Sequence, residues 1–372
     1  MNISKFHDCY GCGVCAKVCS KQIIDIVLNK NGFYEPLITD NEKCTDCGLC
    51  VEVCSYWHND LASVPQMSKG YAAWSQDEEI RYRCSSGGFV FELGRKIMGK
   101  GYNVCAVRYN IDTNRAEHFI AHTAEDLIPS IGSKYIQSYF INGLKEINRN
   151  EKYLVIGTPC QIDSFRRYIR LLHREEQFLL LDFFCHGVPS MWVWRKYLQR
   201  VKKKTGIIFH VAWRNKLAGW HDSWAMIIKG EKAVYNSKWT QKDLFYNLYL
   251  DNVCLGKACY EKCKFKQMNS AADLRVGDFW GKTYQMNEEG INAVLVFTEK
   301  GKQALELLDN IHLVSKAIDI TCEGQMNHAP LKPVEYDFIL SMLRNPYMSL
   351  SNIYKVIRCI YLYKRIKNKL LK

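Results

Sequence analysis

Apolar and polar positions along the chain follow two periods, and the segments sort accordingly. Between residues 22 and 39, "QIIDIVLNKNGFYEPLIT" sets apolar runs on either side of an Asn-Gly pair, which predicts a β-hairpin. "FVFELGRKIMGKG" (89–101) repeats its apolar residues at helical spacing and closes on glycine; "YNVCAVRY" (102–109) then reads as a strand. "KYLVIGTPC" (152–160) and "FLLLDFFCHG" (178–187) read as buried strands ending in turns, with a basic helical stretch, "QIDSFRRYIRLLH", after the first. "NAVLVFTEKG" (292–301) is a further strand ahead of a short helix, "KQALELLDNI". Alternation of this kind predicts an α/β region with ligands at the C-terminal ends of its strands. Residues 58–69, "HNDLASVPQMSK", are polar and read as a linker. At the end of the chain, "SNIYKVIRCIYLYKRIKNKLLK" (351–372) places Ile353, Ile357, Ile360, Leu362, Ile366 and Leu370 near helical spacing.

Composition changes this picture little, until the cysteines. The chain has 372 residues, 48% hydrophobic and 24% charged, which is ordinary for a globular protein with room for two or three domains. No apolar leader precedes Cys9, and runs such as 178–185 are too short to span a bilayer, so a cytoplasmic protein is expected. Seventeen cysteines in a chain without export signals point to metal rather than to disulfides.

Eight of them repeat one pattern: "CYGCGVCAKVCS" (9–20) and "CTDCGLCVEVCS" (44–55). In CxxCxxCxxxC three thiolates wrap one iron–sulfur cubane, and the fourth stands too far off to close the same site. It crosses to a second cluster, which is why the motif comes in pairs. Cys9, Cys12, Cys15 and Cys54 are therefore assigned to one [4Fe-4S] cluster, and Cys44, Cys47, Cys50 and Cys19 to another. Gly13 and Gly48 hold equivalent places, where a residue without Cβ lets the backbone bend around the cluster. Ser20 and Ser55 stand where a proline usually follows the fourth cysteine, which alters the turn and removes no ligand. Structural zinc is the competing reading, although zinc sites rarely use the middle one of three cysteines so closely spaced. Together with the hairpin this makes a ferredoxin-like module with pseudo-twofold symmetry.

No GxGxxG follows any strand, so a Rossmann nicotinamide site is unsupported. "SSGGF" (85–89), "GSKYIQS" (132–138), "GTPCQI" (157–162), "CHGVPS" (185–190) and "CYEKCKF…ADLRVGDFWG" (259–281) occur in this order after the module. In these motifs the chain resembles the coenzyme F420 hydrogenase/dehydrogenase beta-subunit family over essentially residues 1–300. The resemblance implies an iron–sulfur flavoprotein oxidoreductase, in which FAD passes electrons between one-electron clusters and a two-electron acceptor. F420 is the acceptor the family name suggests. Relatives that accompany surface-polysaccharide genes imply a sugar-linked or lipid-linked substrate instead, and a relay subunit without its own substrate is a further alternative. The expected fold class is α+β: a two-cluster ferredoxin-like module (1–60), a larger mixed α/β flavin-binding domain (70–330) and a basic C-terminal helix within a tail (331–372).

The resemblance also assigns roles. Ser85, Ser86, Gly87 and Gly88 at a helix start suit a flavin pyrophosphate; an N-cap at Ser85 or Ser86 is the plainer reading. Lys134 would place a cation near phosphate or reduced flavin, or else lie in solvent. Tyr135 would stack or pack, and Gln137, Ser138 and Thr158 complete the expected cofactor contacts. Cys160, Cys185, Cys259 and Cys263 would hold a third [4Fe-4S] cluster, with Cys254 as a replacement ligand; the alternative is that they are small buried hydrophobes, as expected of Cys84, Cys105, Cys322 and Cys359. His186 reads either as an acid or polar contact, or as an imidazole held by turn carbonyls. Lys134 and His186 are thus the catalytic candidates. Asp278 and Trp280 are expected to fix their loop, while Arg214 and Lys216 read as contacts for an anionic ligand or as a solvated loop.

The formal net charge is +13. Each oxidised cubane with four thiolates carries about −2, so the excess falls to roughly +9 with two clusters and roughly +7 with three. It favours acidic partners such as a ferredoxin-like redox protein, beside a small-molecule acceptor. A nucleic-acid partner is not expected, because the basic residues are scattered until the C-terminus. There, seven basic residues and no acid occur over 351–372. Such a helix either lies peripherally on the inner membrane face or packs on its own domain with its charges in water.

Overall fold

The computed structural model describes residues 1–370, without the side chains of Asn368 and Leu370; Leu371 and Lys372 lie outside the described residues. Fourteen strands are described: β1 Ile24–Leu28, β2 Tyr34–Ile38, β3 Lys69–Ser75, β4 Tyr102–Asn110, β5 Arg115–Ala121, β6 Ser138–Tyr139, β7 Lys152–Ile156, β8 Phe178–Phe183, β9 Ile208–Ala212, β10 Ala225–Gly230, β11 Val234–Lys238, β12 Leu274–Asp278, β13 Asn292–Val296 and β14 Ile311–Lys316. Nine form one mixed sheet in the order β14-β3-β13-β12-β8-β7-β4-β5-β6, β9 to β11 form a second, and β1 and β2 form the expected hairpin. The class is mixed α/β.

The polarity of the large sheet decides where chemistry can occur. β4, β7, β8 and β12 run parallel at its centre. β5 is antiparallel to β4 with β6 parallel to β5, so residues 132–138 arrive at the edge where β4 and β7 end. β13 runs antiparallel to β12, which brings Asn292 opposite Asp278 at that same edge. β3 runs antiparallel to β13, so residues 75–89 start there too. All five motifs therefore meet along the C-terminal edge of the parallel core, as open α/β sheets favour.

β8 is buried on both faces. Leu179 and Leu181 point to a layer with Phe89, Leu93 and Ile97 of the helix Phe89–Met98, while Phe178 and Leu180 meet Phe165 and Ile169 of the helix Pro159–Leu171. This two-sided burial is what its unbroken apolar run requires. The ferredoxin-like module joins the second layer through Val14, Ile26 and Val53. A further core around Trp194, Trp213 and Phe245 unites the β9–β11 sheet with the helices Met191–Thr205, Leu244–Leu250, Tyr336–Arg344 and Leu350–Leu370.

Several expectations change here. The segment read as a linker is docked: the Ala62 amide donates to buried Asp163 at 2.7 Å, Arg167 donates to the Asp60 carbonyl at 2.8 Å, and Gln66 and Met67 donate to the Phe297 carbonyl. β7 stops at Ile156, and Thr158 caps a helix that Pro159 opens, so Cys160 lies in a helical first turn rather than at a strand end. Cys259 likewise sits on a short helix, Lys257–Glu261, instead of in a loop. The C-terminal segment is partly core, with Tyr336, Ile339, Ile353 and Ile357 buried.

Candidate functional site

The two cysteine motifs fold alike. Gly13 and Gly48 cap their short helices at φ +78° and +79°, a left-handed conformation that glycine adopts without strain and that turns each loop back on itself. Burial chiefly raises the Cys9, Cys15 and Cys54 thiols, Cys54 to about 12, and their mutual repulsion together with Cys12 adds to it. Cys54 thus lies within electrostatic reach of the first motif, and of Cys50 in its own. On the other side burial raises Cys50, and Cys47 and Cys19 add to it. Cys44 receives the Asn2 amide at 3.4 Å near the surface, and Cys47 is exposed. Thiols crowded this way suit metal, since a bound cation offsets the burial and mutual repulsion that otherwise oppose their deprotonation.

A third group of thiols comes from residues far apart in sequence. Cys160, Cys185, Cys259 and Cys263 line one small cavity of about 40 Å³ together with Cys9 and Tyr10. Burial raises Cys160 and Cys185, and Cys259 to about 12, with neighbouring thiols contributing in each case. The Cys160 Sγ lies 3.2 Å from the Thr158 Oγ1, at the positive end of the helix Pro159–Leu171. Among the described residues no three Cys, His, Asp or Glu side chains gather tightly enough for one metal ion. Cys254 is absent from the cavity wall: it is wholly buried in the aromatic core, with its thiol turned to the Leu248 carbonyl at 3.5 Å. Cys105 and Cys322 are buried as expected, whereas Cys84 borders a second cavity and Cys359 is exposed.

That second cavity, of about 400 Å³, is within the range of cofactor clefts. Ser85, Ser86, Gly88, Lys134, Tyr135, Ser138, Thr158 and His186 all line it, with Phe89, Trp224, Tyr249 and Trp280 as apolar wall. The helix Phe89–Met98 begins here at Gly88, and neither serine caps it. The Phe89 amide is taken by the Asn292 Oδ1 at 3.0 Å, while the amides of Val90 and Phe91, in the same first turn, have no partner within the helix. Ser86 donates to the Ile291 carbonyl at 2.7 Å, and Ser85 accepts from the Ser133 amide at 2.8 Å, tying two motifs together.

Two expected contacts fall elsewhere, and a third changes role. Gly87 is outside the cavity: a Cβ there would lie 2.3 Å from the Ala73 carbonyl, so close packing on the strands accounts for this glycine. Gln137 faces the module, accepting from the Tyr34 amide at 2.9 Å and donating to the Tyr10 carbonyl at 3.1 Å. Lys134 is in the wall, but its ammonium donates to the carbonyls of Ser130 at 2.7 Å and Gly132 at 2.9 Å, and at longer range to Ile131 and Pro129. Burial lowers it to about 7. It is neither solvated nor aimed at a ligand: it holds the turn that forms the rim.

His186 packs at a tilt on Tyr249 with ring centroids 4.8 Å apart, and its buried Nε2 has no hydrogen-bond partner. Burial first, then Lys266, lowers it to about 4, so at neutral pH it is an uncharged polar edge on the cavity. Tyr135 stacks on Trp224 at 4.8 Å. Arg214 and Lys216 are both buried. Arg214 pairs with Asp278 at 2.6 Å between Trp224 and Trp280, and Lys216 donates to the carbonyls of Arg81, Ser86 and Glu289. Asp278 fixes the loop, as expected, through Arg214 and the Trp220 indole at 2.9 Å.

Residues that sequence reading missed stand between the two cavities. Lys266 is 8% exposed, lines both, and donates to the carbonyls of Cys185 at 2.5 Å and His186 at 3.3 Å. Gln161 also lines both, accepting from the Thr158 amide and donating to the Ser138 Oγ. Gln161 was visible within "GTPCQI"; nothing in the spacing distinguishes Lys266 from the other lysines.

The chain is similar to known proteins in both its parts. A 4Fe-4S dicluster domain model matches residues 8–56. Models of the coenzyme F420 hydrogenase/dehydrogenase beta subunit match residues 70–145 for its N-terminal part and 150–332 for its C-terminal part, together more than half of the chain. The coenzyme F420 hydrogenase subunit beta of Methanococcus voltae is 28% identical over 125 residues, covering 31% of this chain and 44% of that relative, so the match spans less than half of its length. A chain of the F420-reducing [NiFe] hydrogenase complex from Methanosarcina barkeri, from a xenon-derivatisation study, superposes with a TM-score of 0.48 at 15% identity, covering 81% of this chain and 94% of the other.

Proposed function

This chain belongs to the coenzyme F420 hydrogenase/dehydrogenase beta-subunit family with a 4Fe-4S dicluster domain, and on that premise we propose that it is an iron–sulfur flavoprotein oxidoreductase. The observation that carries the reading is the shared wall. The cavity of four thiols abuts Cys9 of the dicluster module on one side, and on the other shares Ser138, Thr158, Gln161, Cys185 and Lys266 with the larger cavity. The first cysteine motif, the four-thiol cavity and a cofactor-sized cleft are thus neighbours, which supports the reading. The clusters would supply one-electron transfer, and FAD the exchange between single electrons and a two-electron acceptor.

The chain's own residues would then do the following. Cys9, Cys12, Cys15 and Cys54, then Cys44, Cys47, Cys50 and Cys19, then Cys160, Cys185, Cys259 and Cys263 would hold three [4Fe-4S] clusters. The amides of Val90 and Phe91, at the positive end of a ten-residue helix, suit a pyrophosphate. Tyr135, Trp224 and Tyr249 offer flat apolar walls, and neutral His186 presents an unpartnered ring nitrogen to whatever lies against it. Lys134 and Lys216 keep the rim in place by binding carbonyls. An open cleft beside the thiols supports an enzyme with its own acceptor over a pure relay subunit. F420 is the acceptor that the relatives' names suggest.

Anaerobic purification with iron, sulfide and FAD reconstitution tests this. About twelve irons and one FAD per chain are expected, at four irons per cubane. About eight irons without flavin would leave only the dicluster reading, and zinc in place of iron would end it.

A further inference from the structure

The C-terminal helix Leu350–Leu370 carries two apolar stripes, and only one of them is used by the fold. Ile353 and Ile357 are buried in the Trp194 core and Ile360 is half-buried, and Lys364 continues that line to an ion pair with Glu335. Cys359, Leu362, Tyr363 and Ile366 form the second stripe, centred roughly 140° around the axis at 3.6 residues per turn. Leu362 is 58% exposed, Tyr363 66% and Ile366 49%. Arg358, Arg365 and Lys369 border this stripe on one side and Lys367 on the other, and the segment 351–372 contains no acidic residue. The apolar spacing that reads as a single face in sequence is therefore divided, with its later half turned outward between cations.

We propose that this outer stripe seats the protein on an anionic phospholipid surface, with Leu362, Tyr363 and Ile366 entering the interface and the flanking cations meeting the headgroups. Aliphatic stems that end in charge, on both sides of an apolar strip, are the arrangement an interfacial helix uses. Charge complementarity selects the occupant. A second copy docked stripe to stripe would bring two sets of cations together, whereas an anionic leaflet neutralises them. Among the described residues no helix is long and apolar enough to cross a membrane, and lying on the surface needs none. The inference is independent of the redox reading, because no cysteine ligand or cavity residue takes part.

The test is co-sedimentation of the full chain with vesicles of phosphatidylcholine alone and of a phosphatidylcholine–phosphatidylglycerol mixture, at low and raised salt. Binding to the mixture is expected, weaker with salt and near absent for phosphatidylcholine alone. Arg365→Gln, Lys367→Gln and Lys369→Gln should each weaken it about fivefold. Leu362→Ser with Ile366→Ser should weaken it by at least about tenfold, since both side chains leave the interface. Circular dichroism confirms that these exposed changes leave the helix in place. No binding to the mixed vesicles overturns the proposal. So does binding that the Leu362/Ile366 pair does not weaken, which is adhesion by charge alone. A dimer that this double variant dissolves, without vesicle binding, would make a second copy the occupant.

Discussion

Arg275 grips Asp182 with two parallel hydrogen bonds of 2.7 Å, and both side chains are fully buried beneath the thiol-lined cavity's loop. Arg275 also donates to the carbonyls of Phe265, Gln267 and Asn269, and Ser270 donates to Asp182 at 2.7 Å. One ion pair between β12 and β8 thus fixes the loop that carries Lys266 and follows Cys263. Arg275→Met would leave the Asp182 carboxylate buried without its counter-charge, at a cost of about 3–5 kcal/mol. Denaturant unfolding should show that loss, and on the proposed reading of three clusters, iron in the variant should fall from about twelve toward about eight per chain as the proposed third site loosens.

Gln137 couples the dicluster module to the large sheet. Its amide bridges Tyr34 and Tyr10, and Tyr10 lines the thiol cavity. Gln137→Leu should keep the iron content and visible spectrum while slowing flavin reduction by a ferredoxin-type donor at least about tenfold, as small displacements across a relay or reacting pair do. An unchanged rate under anaerobic stopped flow would show that this contact has no part in the route.

Lys266 places a buried cation in the wall common to both cavities. Positive charge there favours the reduced, more negative form of any centre on either side. Lys266→Gln should lower the midpoint potentials of the proposed third cluster and proposed flavin on the order of 60 mV, the one-electron equivalent of a tenfold change in equilibrium constant. Lys266→Arg should restore most of the shift, which a purely structural role would not predict. Anaerobic potentiometry monitored by absorbance and electron paramagnetic resonance decides it.

His118 reports on pH. Burial between Phe140 and the sheet pushes its imidazole down to about 3, opposed by a 3.0 Å contact with the Ile156 carbonyl. The unfolded chain binds a proton near pH 6.5 and the folded chain does not, so stability contributed by this site is present above 6.5 and lost as pH falls toward 3. The slope is about 1.4 kcal/mol per pH unit in that window. Comparing denaturation of the wild-type chain and His118→Phe at several pH values should show a shallower acid dependence in the variant by that amount; parallel slopes would contradict the assignment.

How far the sequence reached can be judged residue by residue. The doubled cysteine pattern suggests which fourth thiol crosses over, because the distance between the third and fourth cysteines is a covalent matter, and in the fold Cys54 is close enough to feel the charge of Cys12 as well as that of Cys50. Pro159 shows where local reading failed. The stretch to Cys160 reads as a strand ending in a turn with the helix after it, whereas the strand stops at Ile156 and Pro159, at the first helical position, opens the helix before Cys160. Lys134, Arg214 and Lys216 could be listed as cations but not oriented, since a long side chain reaches equally well outward or inward.

By itself, then, the sequence determined the dicluster module, the α/β character and the set of motifs, all of which rest on short-range spacing and period. Tertiary structure decided how those motifs meet: strand polarity brings residues from 85 to 280 onto one edge. It also decided which polar groups serve the fold, turning Gln137 to the module and Lys134 to its own turn, and it split the C-terminal stripe into a buried face and an exposed one. These outcomes depend on which buried donors and acceptors must find partners once distant strands are neighbours, and no local window contains that information.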